Sequence, residues 1–228
     1  LPKAQKTVVY GIAIAGGLGT YLLLGQLVGG GMGMPRFESA EVGNLELTWL
    51  IPLSLIGTIC GWLYFVSEHA SEVLAHAIGE HPIAKAMLAG LVLAACGTAL
   101  PFTMFAGETQ ADVLMETYLT IPAGVLIVTG LVKAMLTPAL INLGWRGGHF
   151  FPVIFSGVSL GYGLAILTGA DPVFCVAVCT ASTMGAVMRQ PIMVVGLLLM
   201  CFPLKGIVCM IIAAAIAAGI PLPKPLRK

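Results

Sequence analysis

The residues of this 228-residue chain best suited to chemistry stand together at positions 145–152, where the sequence reads Trp-Arg-Gly-Gly-His-Phe-Phe-Pro. Two long apolar runs, 120–143 and 153–167, flank this stretch. A helix break at membrane depth survives only where protein covers it or where it lines a polar cavity. The chemistry that such a break offers is the binding of a small anion.

The helix predicted to restart after the break would supply the anion ligands. Free backbone N–H groups at a helix N-terminus carry a partial positive charge and can hold an anion. Pro152 suits the first turn, where its missing N–H breaks no hydrogen bond. Gly147 and Gly148 allow backbone conformations that are closed to other residues. The stretch therefore predicts a broken helix whose positive end points into a protein-lined cavity.

Lys133 is the second candidate, because it lies in the middle of the apolar run 118–143. Burying a lone ammonium in lipid is costly, so a lysine at membrane depth marks a functional site by default. It either faces a water-filled cavity and attracts an anion, or caps nearby backbone carbonyl groups. The sequence leaves both roles open.

Other polar residues each have a simpler interpretation beside a functional one. Glu108 follows Gly107 between apolar segments, and either faces a vestibule or is an ordinary loop carboxylate. His69, Glu72 and His76 share one helix face, which suits a metal, but a helix end projecting into water is the preferred interpretation. We therefore predict no metal site.

Catalysis is not expected from this sequence. The six cysteines all lie in apolar runs without the spacing of a zinc site or a disulfide scaffold, and are interpreted as small buried side chains. No Ser/His/Asp or Cys/His arrangement is readable. We predict that the protein is not an enzyme and needs no cofactor.

Composition places the chain in a membrane. It is 58% hydrophobic and only 9% charged, whereas soluble domains carry about 25% charged residues, and the mean hydropathy is +1.01. The net charge of +1 gives no indication of a nucleic-acid partner. The chain begins with leucine, and no signal peptide precedes the first apolar run, so we expect a fragment or a processed product.

Apolar segments separated by glycine, proline and charged residues fill the whole sequence. They predict helices at 8–28, 49–66 with a polar extension over 67–80, 83–100, 118–143, 153–167, 172–188, 192–202 and 206–220. A loop is expected at 102–116. Asp171 and Pro172 should form the start of one helix, as N-cap and first residue. Discontinuous helices of this kind build the midplane sites of channels and secondary transporters, so an all-helical, polytopic transport protein is predicted.

The motif itself resembles a family signature. Gly148-His149-Phe150-Phe151-Pro152 is similar to the Gly-x-Phe-x-Pro sequence of the CLC chloride channels and proton/chloride antiporters. In that family a basic residue precedes the signature by about four helical turns, where Lys133 stands. A later helix of the family ends in Arg-x-Pro, which Arg189-Gln190-Pro191 matches. The resemblance covers essentially the whole chain, and implies that residues 1–228 are the C-terminal half of a CLC-type membrane domain.

That resemblance implies a fold and a set of partners. The fold is all-helical, with short, tilted and broken helices, and is one half of an inverted repeat. The partners are the lipid bilayer, the N-terminal half of the same fold, a second copy in a homodimer, and chloride or another small anion. No cofactor is implied.

The resemblance also assigns roles to residues. In the family the backbone N–H groups at the positions of His149 and Phe150 bind chloride, within the signature Gly148–Pro152. Lys133, Arg146 and Arg189 are expected to supply supporting positive charge. Glu108 stands where many members have glycines, and its vestibule role remains an alternative to that of a loop carboxylate.

Departures from the family pattern leave the transport mode open between channel and proton-coupled exchanger. Two further chloride-binding signatures, one with the gating glutamate, are absent because they belong to the N-terminal half. Met200 stands where the family often has a glutamate, and Arg227 follows Lys224-Pro225-Leu226 where the family has a tyrosine. Transport of another anionic solute and a non-conducting membrane scaffold or fragment are the alternatives.

Overall fold

The computed structural model describes residues 12, 16, 17, 19, 20, 23 and 24 and the continuous stretch 35–223. The chain forms two compact units, Leu1–Pro35 and Arg36–Lys228. In the first unit the described residues before Pro35 are helical. Most of the helix predicted at 8–28 lies outside the described residues, as does the tail with Arg227.

Eight α-helices follow one another in the described part of the second unit. They are α1 (Asn44–Ile78), α2 (Pro82–Ala99), α3 (Glu108–Thr117), α4 (Ala123–Asn142), α5 (Phe150–Thr168), α6 (Pro172–Met188), α7 (Pro191–Leu198) and α8 (Ile207–Gly219). Short 3₁₀ turns occupy Pro101–Thr103 and Tyr118–Thr120. No strand occurs between residues 35 and 223, which confirms the predicted all-helical fold.

Four of the described helices, α1, α2, α4 and α5, are long and apolar enough to cross a membrane. Helices α6 and α8 are apolar but shorter. The predicted span at 49–66 and its polar extension form one helix, α1, of 35 residues. These lengths agree with the predicted multi-pass membrane protein.

One sequence prediction was wrong, because the loop expected at 102–116 contains α3. Gly107 begins this helix with a left-handed backbone, at φ 108°. Ala111 and Leu114 lie one turn apart and are both buried, so that they bury one face of α3. The three carboxylates of α3 masked this short apolar pattern in the sequence.

Helices α5 and α6 form an antiparallel hairpin, and α6 begins at Asp171 and Pro172 as predicted. Gly169 ends α5 with a φ of 69°, and the Oδ1 atom of Asp171 accepts a 2.7 Å hydrogen bond from the N–H of Phe174 at the start of α6. A Cβ atom added to Gly161 would lie 2.5 Å from the Cα atom of Val176. The absence of that atom allows the two backbones to approach closely.

The neighbouring helices run opposite to α5. The hydroxyl of Ser159 in α5 donates to the Leu126 carbonyl of α4 at 2.7 Å, and this pairing, with the close approach of Gly130 to Ser156, sets α4 antiparallel. Gly185 of α6 packs on the backbone of Ala214 in α8, and Arg189, four residues later, reaches the carbonyls of Ala217 and Ala218, so α8 runs parallel to α6. Helices α4, α6 and α8 therefore end at the end of the bundle where α5 begins.

Candidate anion-binding site

The break between α4 and α5 is built on Gly144. Its φ of 96° is left-handed, which is the usual conformation of the residue that follows a helix C-terminus. The N–H of Trp145 donates to the Leu140 carbonyl at 3.0 Å and closes the end of α4. Gly147 and Gly148 do not have positive φ angles, so the left-handed residue of the break is Gly144 and not one of the two glycines of the motif.

The N-terminus of α5 carries the signature residues. His149 is the N-cap residue, and no side chain caps this helix end. The first helical hydrogen bond runs from the N–H of Val153 to the His149 carbonyl at 3.2 Å. The helix geometry therefore provides no acceptor for the N–H groups of Phe150 and Phe151, and Pro152 has none to donate. This helix end offers its donors to a ligand.

A cavity of about 240 Å³ lies beside this helix end. Arg146, Gly147, Gly148 and Pro152 line it, together with Lys133. The structure thus brings together the predicted lysine and the first part of the predicted motif. His149, Phe150 and Phe151 are not among the residues that line the cavity, so it contacts the motif at Gly148 and Pro152.

Lys133 caps backbone carbonyls, which is one of the two roles that the sequence left open, and the attraction of an anion stays a prediction. Its side chain is only 3% exposed. Its Nζ atom donates to the carbonyl oxygens of Thr103 at 2.7 Å, Met104 at 3.4 Å and Phe105, and lies 5.9 Å from the centroid of the Phe155 ring. Lys133 therefore caps three consecutive carbonyls and also forms part of the cavity wall.

Arg189 lies elsewhere, at the end of α8. Its Nη1 atom donates to the carbonyl oxygens of Ala217 at 3.3 Å, Ala218 at 3.0 Å and Ile220 at 2.6 Å. These carbonyls belong to the last turn of α8 and to its C-cap residue Ile220, where the helix dipole is negative. Arg189 is not among the residues that line the cavity, so its contribution to anion binding stays a prediction.

Glu108 begins α3 and is half-buried. It is not among the residues that line the cavity. Its neighbour Gly107 packs against α5, because a Cβ atom there would lie 2.5 Å from the Cβ atom of Phe155. The predicted vestibule role of Glu108 stays a prediction.

Two features of the site were missed in the sequence. One is the segment 103–105, whose carbonyls bind Lys133; three ordinary residues after Pro101 give no signal of this. The other is Tyr64, a buried residue of α1 whose ring centroid lies 6.3 Å from that of His149 at an interplanar angle of 60°. A tyrosine in an apolar helix resembles any other core aromatic, so only the packing of α1 against the break shows it.

The polar extension of α1 forms a second cavity. His69 and His76 are exposed there, and a cavity of about 380 Å³ is lined by Glu72, His76 and Lys85 among others. Among the described residues, no three histidine, cysteine or carboxylate side chains are grouped so as to hold a metal ion.

Comparison with known proteins decides the family. Residues 4–221 match the voltage gated chloride channel family. The chain belongs to this family. The CLC membership and the long apolar helices establish an integral, multi-pass membrane protein.

This CLC-family chain also shares its fold with a solved structure. The crystal structure of a CLC-type fluoride/proton antiporter matches it with a TM-score of 0.70 and 21% sequence identity. The match covers 89% of this chain and 52% of the antiporter chain, so the CLC-family chain spans about half the antiporter's length. Among curated proteins no significant match is found.

Proposed function

We propose that this chain forms part of the ion path of a CLC-type anion transporter, and that chloride or another small anion binds at the N-terminus of α5. The observation that carries the proposal is the uncapped start of α5 next to a cavity lined by Lys133, Arg146 and Gly148. The family membership supports transport of an anion over that of a cation or an organic solute, and favours transport over catalysis.

The anion ligands in this proposal are backbone groups of the signature Gly148–Pro152. Partial charges on the N–H groups of Phe150 and Phe151 replace the hydration shell of the ion. They do so without a full positive charge at the contact, which would hold the ion too tightly for release. His149 contributes its backbone N–H, and its imidazole is exposed.

Positive side chains raise the local anion concentration in this proposal. Arg146 is exposed and lines the cavity, which is the position from which a charge steers an ion by long-range attraction. Lys133 lies deeper, with its charge partly balanced by three carbonyl oxygens. Both charges favour an anion in the cavity.

The chain spans about half of the antiporter it resembles. We therefore propose that residues 1–228 are the C-terminal half of a CLC-type membrane domain. The N-terminal half would complete the ion path and supply the gate, and two complete subunits would form a homodimer.

Ion flux tests the proposed function. The intact transporter is reconstituted in liposomes, and chloride efflux and internal pH are recorded together. Chloride efflux without proton movement identifies a channel, and coupled uphill proton movement identifies an exchanger. No flux of any small anion from a folded, inserted protein would contradict the proposal and favour a non-conducting scaffold.

A further inference from the structure

Residues 103–107, called the strap below, connect the turn after α2 to the start of α3. The first three carbonyl oxygens of the strap accept hydrogen bonds from the ammonium of Lys133 in α4. Its last residue, Gly107, packs directly on Phe155 in α5. The strap is therefore held at one end by α4 and at the other by α5.

The backbone of Phe105 has an unfavourable conformation, so contacts from outside the strap must stabilise it. Its φ is 60°, a left-handed conformation that is unfavourable for a residue with a bulky side chain. Such a conformation persists only where the surroundings fix it. The Phe105 side chain is 76% exposed, so its own packing does not supply this restraint. The hydrogen bond from Lys133 to the Phe105 carbonyl supplies part of it, and the Met104 side chain, which packs on Gly97 of α2, holds the neighbouring residue.

The strap is also a wall of the candidate anion site. Thr103, Phe105 and Ala106 line the same cavity as Gly147 and Gly148. Any movement of the strap therefore changes the shape of the cavity beside the signature.

The donors of Lys133 are fully used in this arrangement. A lysine ammonium has three N–H donors, and three carbonyl oxygens lie within hydrogen-bonding distance of Nζ. With the side chain 3% exposed, no N–H remains to contact an anion without breaking one of these bonds.

We propose that Lys133 is a positioning residue that does not ligate the anion. Its hydrogen bonds hold the strap in place, and the strap, including Phe105, forms part of the wall of the anion path. This inference rests on the proposed function, because it takes the cavity to be part of an anion path. In this proposal the basic residue of the family pattern acts on the anion path through the backbone that it holds in place.

A cysteine in the strap reports its position. Ala106→Cys is introduced into the intact transporter with the half-buried Cys96 replaced by serine, and is labelled with an anionic methanethiosulfonate in chloride-free buffer. Lys133→Met should accelerate labelling by about tenfold, since the loss of hydrogen bonds from a charged donor releases the strap. If Lys133 acted only as a charge, its removal would instead slow the reaction of an anionic reagent.

Matched variants complete the test. Arg189→Gln removes another cation that caps three carbonyls and should leave the labelling rate within about twofold. Lys133→Gln retains two N–H donors without the charge and should give an intermediate rate, which provides a second variant if Lys133→Met does not fold. A rate that is unchanged or slower in folded Lys133 variants would overturn the proposal.

Chloride separates this inference from the proposed function. Saturating chloride should slow the labelling of Ala106→Cys when Lys133 is present, because the ion occupies the cavity that the cysteine lines. Absence of this protection would contradict anion binding in the cavity, whereas the acceleration by Lys133→Met in chloride-free buffer would still support the strap.

Discussion

Lys133 and Arg189 make the same kind of contact in two regions of the molecule. Each donates hydrogen bonds to three backbone carbonyls, Lys133 to the strap and Arg189 to the end of α8. Only Lys133 lines the cavity beside the signature. Both cations therefore stabilise backbone carbonyls. Whether such a contact also affects the ion path depends on whether the residue lies next to the cavity, as Lys133 does and Arg189 does not.

The largest effect is expected for a substitution at Gly148, which lines the same cavity as Lys133. Gly148→Val should reduce anion flux by about a hundredfold or more, because a blocked path costs more than one lost oxyanion-type contact. No atom lies within 4 Å of a Cβ atom added there, so the fold has room for the side chain at a residue that lines the cavity. Flux in liposomes measures the effect.

Gly124→Val is the matched control for that variant. Gly124 also has open space around its Cβ position, but it lies in the first turn of α4 and does not line the cavity. Its variant should retain flux within about twofold of the unchanged protein. Equal losses in both variants would mean that valine acts on the helices in general and not on the cavity.

Lys133→Met is expected to have the second largest effect. It leaves three carbonyls without their donor, and should lower the free energy of unfolding by about 3 kcal/mol. It should also weaken chloride binding, since the strap forms part of the cavity wall. Thermal unfolding in detergent and a chloride titration measure the two effects. An unchanged chloride affinity in a folded variant would mean that Lys133 does not contribute to anion binding.

Arg189→Gln should separate stability from binding. The loss of a guanidinium from the end of α8 should lower the free energy of unfolding by about 1–2 kcal/mol, because it removes a charged donor at the negative end of a helix. The chloride affinity should change less than in Lys133→Met, since Arg189 does not line the cavity. A larger loss of affinity than in Lys133→Met would reverse the comparison.

The smallest effect is expected in α3, which follows the strap. Burial, and then the neighbouring Glu116, raise the pKa of Asp112 above its usual value. The ionised form is thus disfavoured in the folded chain, and stability falls as the pH rises from about 3.9, the unfolded pKa, through the raised folded pKa. Asp112→Asn should therefore raise the unfolding midpoint slightly at pH 7 and leave it unchanged at pH 3.

A stabilising effect of Asp112→Asn that was equal at both pH values would assign it to packing and not to the carboxylate. Glu108→Gln, at the first residue of the same helix, is the control. Its carboxylate lies in the first turn, where the helix dipole favours a negative charge, so its removal should be neutral or slightly destabilising at pH 7.

Local sequence signals predicted much of this fold. Asp171 and Pro172 begin α6 because their chemistry is that of an N-cap and a first helical residue. The apolar runs predicted the long helices because lipid and core both require such runs. The signature at 148–152 predicted that a helix starts here, since the pattern is short and contiguous.

What the sequence did not predict depends on contacts between distant residues. Lys133 meets carbonyls 28 to 30 positions earlier in the chain, and no local pattern encodes that pairing. The glycine that turns the chain is Gly144, because the end of α4 fixes where the left-handed residue must fall. Helix α3 was missed because its buried face consists of only two residues among carboxylates.

Bromide located by anomalous scattering in crystals of the intact transporter tests the central claim most directly, since the ion itself is seen. We expect a bromide peak within hydrogen-bonding distance of the backbone N–H groups at His149 and Phe150, and a weaker peak in Gly148→Val crystals. Crystals grown at bromide concentrations that saturate flux could instead show bromide at Arg189 or at the α1 extension and none at the start of α5. That result would contradict anion binding at the start of α5.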